Sequence, residues 1–127
     1  MRLLFKLLLG FTTMMAMAQA NADINVGVIV SLTGPAASAG IPERDSIVLW
    51  SKRIAGHKVN LTILDDASDP SKTTAAARKL VTEKNVDVLI GASVTPTTLA
   101  ALQVAAETRT PLISIAGGGA IVNPQDD

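Results

Sequence analysis

Four short apolar runs, each set apart by a segment with helical spacing, limit what this chain can fold into. The runs are rich in β-branched residues and read INVGVIVS, KVNLTILDD, VDVLIG and PLISIA. The segments between them, residues 42–54, 68–84 and 95–109, have the pattern of helices. Alternation at this spacing predicts an α/β fold, βαβαβαβ, with a doubly wound parallel sheet and right-handed crossovers.

Two of the predicted helices have informative details. The second is expected to begin at Ser68 or Asp69 as its cap, with Pro70 in the first turn, where a missing N–H costs nothing. The first is expected to bury one apolar face, made of Ile47, Val48, Trp50 and Ile54.

The N-terminal segment has the pattern of a secretory signal peptide. Arg2 and Lys6 give it a positive start, residues 7–17 are mostly apolar, and AMAQANAD offers small-x-small cleavage sites. The apolar part is shorter than the ~20 residues of a membrane-spanning helix. Cleavage could follow Ala18, Ala20 or Ala22; we take residues 1–22 as the signal peptide and residues 23–127 as the exported domain.

Composition excludes several classes of partner. The sequence has no cysteine, so it predicts neither a disulfide framework nor a thiol for a lipid anchor. Of its 11 basic residues, Arg2 and Lys6 lie in the signal peptide, which leaves 9 against 11 acidic ones. The remaining basic residues are scattered, whereas nucleic-acid binding needs them clustered. We expect no nucleic-acid partner and, after cleavage, no membrane-spanning segment.

Ligands of doubly wound sheets bind beyond the carboxyl ends of the strands. Four loops should meet there, with sequences SLTGPAASAG, DDASDPS, GASVTPT and AGGGAIV. They supply hydroxyl groups from Ser31, Thr33, Ser38, Ser93, Thr95, Thr97 and Thr98. Glycines 117–119 leave the main chain open to close approach, and helix N-termini attract anions. The edge is therefore predicted to recognise a carboxylate or a phosphate.

No catalytic constellation is visible. His57 stands alone in the turn AGHKV, where we interpret it as a solvated residue, and no serine lies in a G-x-S-x-G elbow. Asp65 and Asp66 lack a His or Glu partner at metal-ligand spacing; we expect them to cap the following helix and to bind loop amides. We therefore predict a protein that is not an enzyme, with no metal site.

A dinucleotide site is weakly indicated. GVIVSLTGPAASAG follows a strand and precedes a helix, but it has Gly34 and Gly40 rather than G-x-G-x-x-G. Pro35 also removes an amide that a pyrophosphate would need. We expect no cofactor.

Several motifs in register resemble those of one family. They are T-G-P in the first loop, D-D-x-S-D-P after the second strand, A-A-R-K-L in the second helix and P-L-I-S at the fourth strand. From about Asp23 onward, the chain resembles the N-terminal lobe of type I periplasmic substrate-binding proteins of ABC importers, in the branched-chain amino acid class. The resemblance implies an exported periplasmic receptor that closes on an amino acid or a similar small carboxylate and serves an ABC permease.

The resemblance also implies where the ligand binds. Its carboxylate and amino group would be held at Thr95, with Ser93 nearby, and at Ala116, Gly117 and Gly118. Thr33 is a weaker candidate, from its position in the first loop.

Two positions depart from relatives that bind leucine-like ligands. Those relatives often carry a threonine where Gly118 falls and an aromatic residue where Ala39 falls. A larger or aromatic acid is therefore as plausible a ligand as a branched-chain amino acid.

Chain length is the other departure from the family. A complete member needs a second lobe, and this sequence ends at NPQDD, so we expect a truncated first lobe that binds ligand weakly or not at all and has marginal solubility. The alternatives are the ligand-binding lobe of a sensor or a non-functional gene remnant.

Overall fold

A five-stranded sheet with helices on both faces forms the part of the chain that the computed structural model describes, residues 22–122. Except for Ala22, the predicted signal peptide lies outside that range, as do residues 123–127. The strands are β1 (Ile24–Val30), β2 (Arg53–Ile54), β3 (His57–Asp65), β4 (Val88–Ile90) and β5 (Leu112–Ile113). The helices are α1 (Ala37–Ile47), α2 (Pro70–Thr82), α3 (Thr95–Thr108) and α4 (Gly119–Val122).

The strand order confirms the doubly wound fold. It is β2-β3-β1-β4-β5, and the pairs β1–β3, β1–β4 and β4–β5 are parallel. At the centre, Val28 of β1 pairs with Ile63 of β3 on one side and with Ile90 of β4 on the other. The sequence did not indicate β2, which forms an antiparallel hairpin with β3 at the edge of the sheet.

Alternation along β1 divides the core into two layers. Ile29 points to the face that α2 and α3 cover, where Leu80, Leu89 and Val104 are almost fully buried. Val28 points to the other face and belongs to a second cluster of buried residues, with Val26, Val30, Ile47, Val59 and Ile90. Helix α1 covers this second face only partly, since Ile47 is its only large apolar side chain in the core.

Helices α2 and α3 follow the sequence pattern closely. Asp69 caps α2, because its carboxylate accepts hydrogen bonds from Ser71 N at 2.7 Å and Lys72 N at 3.3 Å, and Pro70 is the first helical residue. Helix α3 begins at Thr95, as predicted. Both helices therefore start at the carboxyl edge of the sheet.

The prediction for α1 was wrong in its bounds and in most of its buried face. The helix spans residues 37–47 instead of 42–54, and Pro42 lies inside it. Of the four apolar residues expected to be buried, Ile47 is, but the others are exposed: Val48, Trp50 and Ile54. Ile54 belongs to β2 instead, because the backbone turns at Ala55 and Gly56, both with positive φ, into the β2–β3 hairpin.

Candidate functional site

Asp65 joins the loops that follow β1 and β3. Its carboxylate accepts hydrogen bonds from the hydroxyl of Thr33 at 2.7 Å and from the amides of Leu32 at 2.8 Å, Ala67 at 2.8 Å and Thr33 at 3.2 Å. Burial of the carboxylate raises the pKa of Asp65, but the bonds from Thr33, Ala67 and Leu32 together outweigh it and hold the pKa below its usual value. The ionised carboxylate of Asp65 therefore connects the two loops by hydrogen bonds.

Asp66 also connects the loops that follow β1 and β3, but its carboxylate lies in the protein interior. It is fully buried, and its carboxylate accepts bonds from Ser31 Oγ at 2.7 Å, Ser68 N at 2.9 Å and Thr73 Oγ1 at 3.2 Å. The expectation that both aspartates bind loop groups is confirmed, whereas the cap of α2 is Asp69 rather than either of them. This buried carboxylate is satisfied by the protein itself.

Ser93 extends the connection to the loop after β4. Its hydroxyl accepts a bond from Ser31 N at 2.9 Å and donates one to the Glu43 carboxylate at 2.5 Å. The residue is 8% exposed. The structure therefore uses the Ser93 hydroxyl to hold β1, α1 and the β4 loop together, although the sequence singled it out as a ligand contact.

Thr95 and Gly118 bring the remaining two predicted regions into contact. Thr95 is the first residue of α3, and the loop after β5 passes so close that a β-carbon added to Gly118 would lie 2.5 Å from Thr95 Oγ1. Within the described residues, no hydrogen bond engages the Thr95 hydroxyl. In the first turn of α3 the N–H groups of Thr95 and Thr97 lack a helical partner one turn earlier, whereas Pro96 has no N–H.

The loop after β5 has its own local support. Ser114 Oγ donates to Ala116 O at 2.8 Å and accepts from Ala116 N at 3.2 Å, which fixes the turn that leads into the glycines. Ala116 and Gly118 are half-buried, whereas Gly117 is exposed. Of this loop, Gly118 lies next to Thr95 at the carboxyl edge, while the N–H and carbonyl of Ala116 are engaged by Ser114.

The six predicted contact residues therefore divide into two groups. Thr95 and Gly118 are in contact, and Ala116 and Gly117 precede Gly118 in the same loop. The hydroxyls of Thr33 and Ser93 are bonded inside the protein, to Asp65 and Glu43. The assignment of all six residues to ligand binding stays a prediction. The main-chain N–H and carbonyl of Thr33 are also bonded inside the protein, to Asp65 and to the Ser68 hydroxyl.

Sequence reasoning missed the role of Glu43. In the predicted helix of residues 42–54 it would lie in the first turn, but it lies in the middle of α1 and accepts a hydrogen bond from the Ser93 hydroxyl. The useful signal is its spacing from Ile47, since residues four apart share a helix face and Ile47 is buried. On that face an open apolar cleft of about 220 Å³ is lined by Glu43, Ser46, Ile47, Trp50 and Ile115.

Three other features lie away from this edge or are lacking in the part of the chain that the structure describes. His57 begins β3 at the opposite end of the sheet, where its Nδ1 lies 3.0 Å from Ala22 O. In the range 22–122, no cluster of acidic, histidine or cysteine side chains has the grouping of a metal site. No helix in that same range has the length and hydrophobicity needed to span a bilayer.

This fold and edge match one family of binding proteins. A family model described as "Periplasmic binding protein" matches residues 23–126. The chain therefore belongs to the periplasmic binding protein family, a family of solute-binding proteins rather than a class of enzymes.

Solved structures add detail to this membership. An extracellular ligand-binding receptor from Rhodopseudomonas palustris HaA2 has a TM-score of 0.79 and 44% identity, with a match that covers 83% of this chain and 29% of that one. A solute-binding protein of an ABC transporter from Rhodopseudomonas palustris BisB5, solved with 3,4-dihydroxybenzoic acid, has a TM-score of 0.74 and 34% identity over 78% of this chain and 29% of that one.

A curated relative matches a shorter stretch. A Leu/Ile/Val-binding protein of Rhizobium johnstonii is 38% identical over 68 residues, which are 49% of this chain and 18% of that protein. The chain thus spans less than a third of the length of each of these three similar proteins.

Proposed function

We propose that this chain forms the first ligand-binding lobe of an exported substrate-binding protein that serves an ABC importer. The observation that carries the proposal is the contact between the first turn of α3, at Thr95, and the loop at Gly118. It leaves a hydroxyl, helix amides and open main chain together at the carboxyl edge of a family member's sheet, where doubly wound folds bind ligands.

The substrate we propose is a small carboxylate, either an amino acid or an aromatic acid. Both classes occur among the similar proteins, one named for Leu, Ile and Val and one solved with 3,4-dihydroxybenzoic acid. The four loops at the edge, residues 31–36, 65–69, 91–95 and 114–118, contain no lysine or arginine. Helix amides and the Thr95 hydroxyl would therefore have to hold the carboxylate.

Calorimetry on the purified chain tests this function. We titrate L-leucine, L-isoleucine and 3,4-dihydroxybenzoate, with D-glucose as the neutral control. An open half-site excludes little water from its ligand, so we expect at least one acid to bind with a Kd of about 1 mM or weaker. If none of the three acids binds, the proposal that this lobe binds a small carboxylate is contradicted. Tight stoichiometric binding would contradict the expectation that the lobe alone forms only half of a site.

Export to the periplasm is the second part of the proposal. The family membership and the basic, then apolar, N-terminus support it. N-terminal sequencing of the chain recovered from the periplasm of an expression host should begin at Asp23. Retention of Met1 in the cytoplasm would contradict export, and a start at Asn21 or Gln19 would move the cleavage site.

A further inference from the structure

Gly118 is enclosed by a side chain from another loop. A β-carbon built on it would lie 2.5 Å from Thr95 Oγ1, 2.6 Å from Thr95 Cγ2 and 3.1 Å from Thr95 Cβ. Carbon atoms do not approach non-bonded neighbours this closely in folded proteins, so any larger residue at this position must move the loop or the threonine.

The two neighbouring glycines are not enclosed in this way. A β-carbon added to Gly117 or Gly119 has no heavy atom within 4 Å. Gly118 is also not among the residues with positive φ, so its backbone does not by itself require glycine. The three atoms nearest to the position of that β-carbon all belong to Thr95, so this side chain gives the closest constraint at Gly118.

We infer that Thr95 and Gly118 form one specificity-determining pair, in which the Thr95 side chain fills the space above Gly118 and so sets the distance between α3 and the loop after β5. The inference rests on the proposed function as far as the ligand is concerned. Because Thr95 begins α3 and Gly118 lies in the loop after β5, the spacing at this contact sets the distance between the start of the helix and the loop, and so which carboxylate fits there.

A thermal-unfolding cycle tests the pairing without a ligand. Gly118→Ser should lower Tm by about 5 °C or more, whereas the matched control Gly119→Ser should change it by about 1 °C or less. Thr95→Ala removes the two atoms that clash most, so the double variant T95A/G118S should regain most of the loss. Equal effects of the two serine variants, or no relief from Thr95→Ala, would overturn the pairing.

Calorimetry on the same variants tests the effect on specificity. We measure the ratio of the Kd values for L-isoleucine and 3,4-dihydroxybenzoate. Gly118→Ser should change this ratio about tenfold, a difference of about 1.4 kcal/mol, while Gly119→Ser leaves it unchanged. An unchanged ratio in Gly118→Ser overturns the specificity role. A wild-type chain that binds neither probe refutes the proposed function, and the unfolding cycle still decides the pairing.

Discussion

The Glu43 carboxylate lies 2.5 Å from the Ser93 hydroxyl, a contact between residues 50 positions apart in the chain. Through Ser93, which also accepts a bond from Ser31 N at 2.9 Å, α1 is tied to the ends of both β1 and β4. The carboxyl edge of the sheet is thus held by polar side chains that bridge its loops.

Removing the Glu43 carboxylate should loosen this edge. We expect Glu43→Ala to lower the free energy of unfolding by about 1–2 kcal/mol, because the buried Ser93 hydroxyl loses its acceptor. Glu43→Gln keeps an acceptor oxygen and should cost less. Urea denaturation measures both, with Glu83→Ala on the exposed end of α2 as the control. A loss in Glu43→Ala no greater than that in Glu83→Ala would contradict the bridging role.

Asp66 should be the most sensitive polar position in the fold. Asp66→Ala leaves the Ser31 hydroxyl and the Ser68 amide without their acceptor, whereas Thr73 keeps its bond to the Asp69 carbonyl, so we expect a loss of about 3 kcal/mol in the free energy of unfolding. Asp45 is an exposed control that pairs only with its neighbour Arg44, and Asp45→Ala should cost about 0.5 kcal/mol or less. Similar losses for the two aspartates, in the same urea experiment, would refute this account of Asp66.

Asp65 should make stability fall in acid. Because hydrogen bonds hold its folded pKa below the usual value of 3.8, its contribution is fully present above the pKa of the unfolded chain and is lost as pH falls through the folded pKa. The Tm of Asp65→Asn should therefore lie below that of the wild type at pH 7, and the two should converge below about pH 4.

Thermal melts of both proteins from pH 7 to pH 2 measure this difference. Asp45→Asn serves as the control, since a single exposed ion pair should add little to the pH dependence. A gap between wild type and Asp65→Asn that stays constant down to pH 2 would show that the carboxylate does not act through its charge.

Much of the fold follows from local patterns that tertiary packing did not alter. The continuous apolar run around Val28 predicts a buried strand, and both faces of that strand are buried in the structure. Asp69 followed by Pro70 predicts the start of α2. The start of α3 at Thr95 follows in the same way. At these places local sequence preference and packing agree.

The bounds of α1 and the bonding of the hydroxyls could not be predicted from the sequence. Apolar spacing continues past Ile47 to Trp50, but the hairpin at Gly56 decides where the helix must end. Likewise, the local sequence does not distinguish the hydroxyl group of Ser93 from that of Thr95. Only long-range contacts show that Glu43 takes up the first hydroxyl, while the second faces the glycine loop.

The incompletely covered face of the sheet should make the chain associate with itself. Ile113 is 56% exposed on the face that α1 covers only in part, and Trp50 and Ile115 line the cleft nearby. Contiguous apolar surface of this kind promotes association. Sedimentation velocity should therefore show oligomers that dilution dissociates.

A charge at Ile113 should suppress this association, because lysine on an edge strand opposes pairing between chains. The control is Leu102→Lys on α3, which carries the same charge on an exposed residue of another element. A wild-type chain that stays monomeric at high concentration, or equal effects of the two lysines, would contradict the prediction.

The site itself is tested most directly by an amide chemical-shift map of the ¹⁵N-labelled chain during titration with L-isoleucine and with 3,4-dihydroxybenzoate. The account predicts that at least one of them shifts the amides of Thr95, Thr97, Gly117 and Gly118, and that Thr95→Ala weakens the response. Shifts confined to the cleft at Trp50 and Ile115, or no shift with either compound at about 20 mM, would contradict a carboxylate site at the meeting point of α3 and the glycine loop.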